Sequence, residues 1–109
     1  MSVPRDLPPV GSVVEVIQGR DAGLVAVVVG HADERFLFIA DGSMRRSDKP
    51  KKKNISHVRK MAYVAQDVAE KIKLDGRVNN AQLRYAIRKF VEERLVVAQE
   101  SAEGGAVSG

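Results

Sequence analysis

Ten positions of this 109-residue chain have the side chains to hold a polyanion: Arg20, Arg45, Arg46, Lys49, Lys51, Lys52, Lys53, His57, Arg59 and Lys60. All but Arg20 lie in "RRSDKPKKKNISHVRK", residues 45–60. Ammonium groups beside phosphates release condensed counterions, and guanidinium groups make bidentate phosphate contacts or stack on bases. Pro50 stiffens the run and predicts an extended loop, so that its lysines reach successive phosphates. Arg20 adds a contact if its turn points the same way. His57 either hydrogen-bonds the ligand or anchors the loop.

The charge is local. Residues 45–60 carry eight Lys/Arg and one Asp, net +7, whereas the remaining ten Lys/Arg and thirteen Asp/Glu give net −3. A basic segment on a mildly acidic body makes a directional field, the footprint of a polyanion site. The five aromatic residues, Phe36, Phe38, Tyr63, Tyr85 and Phe90, all lie outside the run. That argues against a base-stacking platform and for recognition of shape and backbone.

Catalytic patterns are weak. There is no cysteine, no GxxxxGK[ST] phosphate loop, and His31 and His57 differ in setting. The acids of "HADER" read as a hairpin tip. The sequence predicts no enzyme, no metal site and no cofactor. No run of about twenty apolar residues suits a membrane span, and "MSVPRDLPPV" lacks the apolar stretch of a secretory signal, so a cytoplasmic location is the default expectation.

The positioning elements come in two textures. "SVVEVIQ", "GLVAVVVGH" and "RFLFIADG" read as strands, with weaker ones around Met44–Ser47 and Ile55–Arg59. Five short strands with tight turns predict a small antiparallel barrel or roll. The second and third strands are apolar on both parities, so another part of the chain must cover one face. Residues 61–98 read as helical. Met61, Val64, Ala65, Val68, Ala69 and Ile72 repeat at helical spacing, although "HVRKMAYV" also suits an extended strand. Asp75-Gly76 ends the first helix. Asn79 and Gln82 predict a capping box for the second, with Val78 and Leu83 as its hydrophobic staple. Leu83, Ala86, Ile87, Phe90, Val91 and Leu95 are expected to face the barrel, with Arg84, Arg88 and Lys89 in water. Residues 1–10 are expected to be a flexible lead and 99–109 a disordered tail.

"GSVVEVIQGRDAGLVAVVVG" resembles the KOW motif of ribosomal proteins and of transcription factors of the NusG type. The matching residues are Gly11, Val13, Val14, Val16, Gly19, Ala22, Gly23, Val25, Val27 and Val28. Further along the chain, Asp41-Gly42, the basic run and Asn54-Ile55-Ser56-His57 stand in an order similar to that of the eukaryotic and archaeal large-subunit ribosomal protein family fourteen and its small bacterial RNA-binding relatives. "GRVNNAQLRYAI" looks like the closing helix of those relatives. After the histidine this chain reads Val58-Arg59-Lys60-Met61, where the relatives often have a leucine and a proline-containing turn.

The resemblance implies a Src-homology-3-type barrel over residues 11–60 with one or two C-terminal helices. It also implies structured RNA, in particular ribosomal RNA, as the partner, with Gly19 and Gly23 shaping the turn. A protein-interaction module, with ribosomal proteins or RNA polymerase as partners, and a DNA-binding protein are the alternatives.

Overall fold

A computed structural model describes the backbone of residues 7–108 and the side chains of residues 7–95. Residues 1–6 of the expected lead lie outside the described residues. Residues 7 and 8 are packed. Leu7 leans on the core, Pro8 is buried, and the Pro8 carbonyl accepts a hydrogen bond from His31 Nε2 at 2.6 Å.

Five strands form one antiparallel sheet: β1 (Ser12–Val16), β2 (Val25–His31), β3 (Phe36–Ala40), β4 (Lys51–Asn54) and β5 (Val58–Val64), in the order β4-β3-β2-β1-β5. Two helices complete the fold, α1 (Gln66–Asp75) and α2 (Asn80–Ser108). β4 and β5 are the two edges and do not pair, so the hydrogen-bonded sheet is open. Yet only one 3₁₀ turn, Ile55–His57, separates them in sequence. A flat sheet would hold its edges four strand intervals apart, about 19 Å. So short a link therefore requires a strongly coiled sheet.

The two parities of the strands feed two cores. Val13, Val27 and Ala40 face Val68, Val78, Leu83, Ala86 and Phe90 of the helical segment. Val14, Val16, Ala26, Val28, Leu37, Ile39 and Val58 bury one another on the other side. Strands apolar on both parities thus have helical cover on one face and the sheet's own curvature on the other.

Several sequence-based expectations shift. Met44–Ser47 forms turns and bends, not a strand. The fourth strand lies instead inside the lysine run. Ile55–His57 is a 3₁₀ turn, and β5 continues through residues 61–64, so helix begins only at Gln66. There the β-branched and aromatic residues of "VRKMAYV" favour pairing with β1 over helix. Val91 and Leu95, expected to face the barrel, are 42% and 62% exposed, although Phe90 beside them is buried. The α2 backbone also runs to Ser108, through the segment expected to be disordered. Once a helix is nucleated, each further residue is cheap to add, and Ala98, Gln99, Glu100, Ala102 and Glu103 are good helix formers.

Other expectations match. α1 ends at Gly76, with φ of 80°, and the Asn79–Gln82 box closes at 2.9 and 2.8 Å. Val78 and Leu83 are both buried.

Candidate nucleic-acid interface

The β1–β2 connection, residues 17–24, folds on itself. Gly19 and Gly23 both have φ of 96°, a left-handed conformation that costs residues with a Cβ about 1–2 kcal/mol. Three hydrogen bonds close the loop: Gly23 N–H to the Val16 carbonyl at 2.7 Å, Leu24 N–H to Asp21 at 2.8 Å and Ala22 N–H to Gly19 at 3.2 Å. Arg20 is exposed on it.

Neighbouring segments grip this loop from three sides. The Ile17 N–H donates to the His57 carbonyl at 2.9 Å. Lys53 Nζ donates to the Gln18 carbonyl at 3.4 Å. Asp21 Oδ2 accepts from Arg45 Nε and pairs with its Nη2, both at 2.8 Å. The Asp21 and Arg45 side chains are 11% and 32% exposed, so solvent only partly screens this pair.

Residues 41–49 are compact, and the chain becomes extended after Pro50, where β4 begins at Lys51. Buried Asp41 accepts from the N–H groups of Ser43 at 3.1 Å and Arg45 at 2.7 Å. This Asx-type wrapping is the local preference of aspartate at a turn, and Gly42, with φ of 84°, completes it. The loop is then fastened to α2. Asn80 Oδ1 accepts from Ser47 N–H, and Arg84 Nη1 donates to the Gly42 carbonyl, both at 2.7 Å. A Cβ at residue 42 would lie 2.4 Å from the Asn80 carbonyl oxygen, so this approach admits only glycine.

The structure divides the ten predicted residues. Lys53 is 8% exposed and points inward, opposite Leu37 on β3. Its ammonium is a tether for the β1–β2 loop and is not available to a ligand. Arg45 is bound to Asp21. Arg59 is exposed but paired with Glu15 on the adjacent strand. His57 holds the loop through its main-chain carbonyl. Lys53, Arg45 and Arg59 act within the fold because a folded chain brings acids and carbonyls to cations that look isolated in sequence, whereas His57 contributes only its main-chain carbonyl.

Lys49, Lys51, Lys52 and Lys60, with Arg20, are exposed and form no salt bridge among the described residues. Arg46 makes only a loose contact with Asp48, at 3.6 Å between two exposed side chains. Lys52 sits 5.0 Å from the centre of the Phe36 ring, which steadies its stem while leaving it exposed. Lys51 and Lys52 lie on β4, an edge strand, where lysines also deter pairing with another sheet.

Sequence reasoning missed Asp21, Gln18, Asn80 and Arg84. Asn80 follows the capping residue, and Arg84 occupies a wet helix position. Only the fold shows that both meet the basic loop.

An open groove of about 790 Å³ borders the loop, lined by Ser47, Asp48, Lys71, Asp75, Arg77 and Gln82. Its charges are mixed. A salt bridge to Lys71 holds the Asp75 carboxyl below the usual carboxylate range. No group of three metal-ligating side chains comes together among the described residues. No described helix is long and apolar enough to cross a membrane. The chain matches no known family model and no curated protein sequence.

Proposed function

We propose that this is an RNA-binding protein of the KOW class, with its coiled sheet forming a Src-homology-3-type barrel, that associates with the ribosome and grips the phosphates of structured RNA. Lys49, Lys51 and Lys52 are the principal contacts, with Arg20, Arg46 and Lys60 around them. The observation that carries this is the sorting of the basic run. Its internally satisfied cations build the scaffold, while its remaining lysines stand in solvent without acidic partners among the described residues, Lys51 and Lys52 on an edge strand and Lys49 just before it. Such charges cost the isolated protein self-repulsion that a polyanion relieves. The ribosomal part comes from the resemblance of residues 11–60, and a cytoplasmic location is kept as the default expectation for such a protein.

The test is to replace Lys49, Lys51 and Lys52 together by glutamate and measure affinity for a structured ribosomal RNA fragment. Binding should fall at least a hundredfold with the thermal unfolding midpoint nearly unchanged. Unaltered affinity would remove these lysines from the interface.

A protein partner is the second reading, favoured by exposed Val91 and Leu95 on α2. Ribosome association that survives RNase digestion would support it over RNA contact.

A further inference from the structure

Resting on the RNA-binding role proposed above, we infer that the RNA surface does not end at the basic loop but continues onto α2, with Arg84 and Arg88 holding a second stretch of phosphate backbone.

The loop and the helix are locked in register. Arg84 donates to the Gly42 carbonyl, and Asn80 accepts from Ser47 N–H. The Gly42 backbone also packs so closely on α2 that an added Cβ would lie 2.4 Å from the Asn80 carbonyl oxygen. A cation on this face of α2 therefore keeps a fixed relation to Arg46 and the lysines beyond it.

Arg84 and Arg88 are one helical turn apart, about 6 Å along the axis, on the same side of α2. Leu83, Ala86 and Phe90 occupy the opposite, buried side. Both arginines are exposed, and neither forms a salt bridge among the described residues. Glu92, four residues after Arg88, forms no salt bridge among the described residues either. The Arg84 contact with Gly42 uses only one of its five N–H donors, so the rest of its fork can meet a phosphate.

Periodicity alone assigns both arginines to a solvated face. What changes their meaning is the loop that Arg84 meets, one helical turn before Arg88. Two cationic lines, one on β4 and the loop and one on α2, suit an RNA fold with two backbones within reach. A single extended strand would engage only one.

The test uses the full chain and a dye-labelled RNA hairpin, titrated between about 50 and about 200 mM salt. Arg88→Gln is the clean variant, since Arg88 holds nothing in place. Arg84→Gln/Arg88→Gln adds the second contact, with circular dichroism as the check on folding. Loss of one phosphate contact lowers the salt slope by about 0.7–0.9, so Arg88→Gln should lose about threefold less affinity than the unmodified protein across that range. The double variant should show about twice the change in slope.

If both variants keep the full slope while the Lys49/Lys51/Lys52 glutamate variant loses binding, the interface stops at the loop and the inference is overturned. If the unmodified protein shows no salt-sensitive binding to the hairpin, the RNA-binding role and this extension fall together.

Discussion

Lys53 Nζ lies 3.4 Å from the Gln18 carbonyl oxygen, although β4, which carries Lys53, and β1, which Gln18 follows, are separated by two intervening strands. In a flat sheet those strands would stand about 14 Å apart. The contact exists because the sheet coils and brings the inner face of β4 over the β1–β2 connection. The last residue of a lysine run thereby becomes buried, paired across the strands with Leu37 and with its charge on a main-chain oxygen.

Lys53→Glu should accordingly act on stability. It places a carboxylate against a carbonyl oxygen in a site with little solvent, at a cost of about 2–4 kcal/mol. Urea unfolding would show this as a lower midpoint. Lys51→Glu, on the same strand but exposed, should stay within about 0.5 kcal/mol of the unmodified protein. Equal midpoints for the two variants would mean that Lys53 is not buried in solution.

Asp21 offers a test with the opposite sign for binding. Its carboxylate neutralises Arg45 within the predicted cationic surface. Asp21→Asn should weaken the hold on the β1–β2 loop, at a cost of about 1 kcal/mol, and leave the Arg45 charge uncompensated. RNA affinity at low salt should therefore rise several-fold and its salt dependence steepen. Equilibrium titration of the labelled hairpin measures both. A fall in affinity with the fold intact would indicate that ordering of the loop outweighs charge.

Gly42→Ala separates sterics from backbone preference. The added methyl meets both a left-handed φ and the Asn80 carbonyl, so a loss of about 2–4 kcal/mol is expected. Gly23→Ala has the same kind of φ but open space around it, and should cost only about 1–2 kcal/mol. Chemical denaturation of the pair checks the difference. A larger loss at Gly23 would contradict the close docking of the loop on α2.

The sequence predicts the strands and helix ends well where local chemistry is decisive. Valine-rich β1 and β2, the Asp75-Gly76 stop and the Asn79–Gln82 box are all legible because short-range patterns specify them. β4 is not legible, since "KKKN" has little intrinsic strand preference and pairs because β3 lies beside it. The candidate site is half legible for a similar reason. A count of cations identifies the segment, but which cations are free depends on Asp21, Glu15 and Gln18, whose approach is tertiary.

Two titrations give the pH dependence. Burial, followed by the nearby Glu93 charge, pushes the Tyr63 hydroxyl above its ordinary value of 10.0. The folded state thus holds this proton more tightly than the unfolded chain does. The contribution is complete below pH 10.0 and disappears as pH rises through the higher folded value. Asp75 runs the other way. Its hydrogen bond and charge pairing with Lys71 lower its folded value below 3.8, so its contribution is present above 3.8 and disappears as pH falls through the lower folded value. Unfolding midpoints should decline at both extremes, and Tyr63→Phe should blunt only the alkaline decline. An alkaline decline unchanged by that substitution would exclude Tyr63 as a source.

The most direct measurement of the central claim is ultraviolet crosslinking in cells, with sequencing of the bound RNA and mass spectrometry of the attached peptides. The expected result is structured ribosomal RNA joined to peptides spanning residues 46–52. RNA recovery at background, or attachment confined to surfaces away from the basic loop and α2, would contradict it.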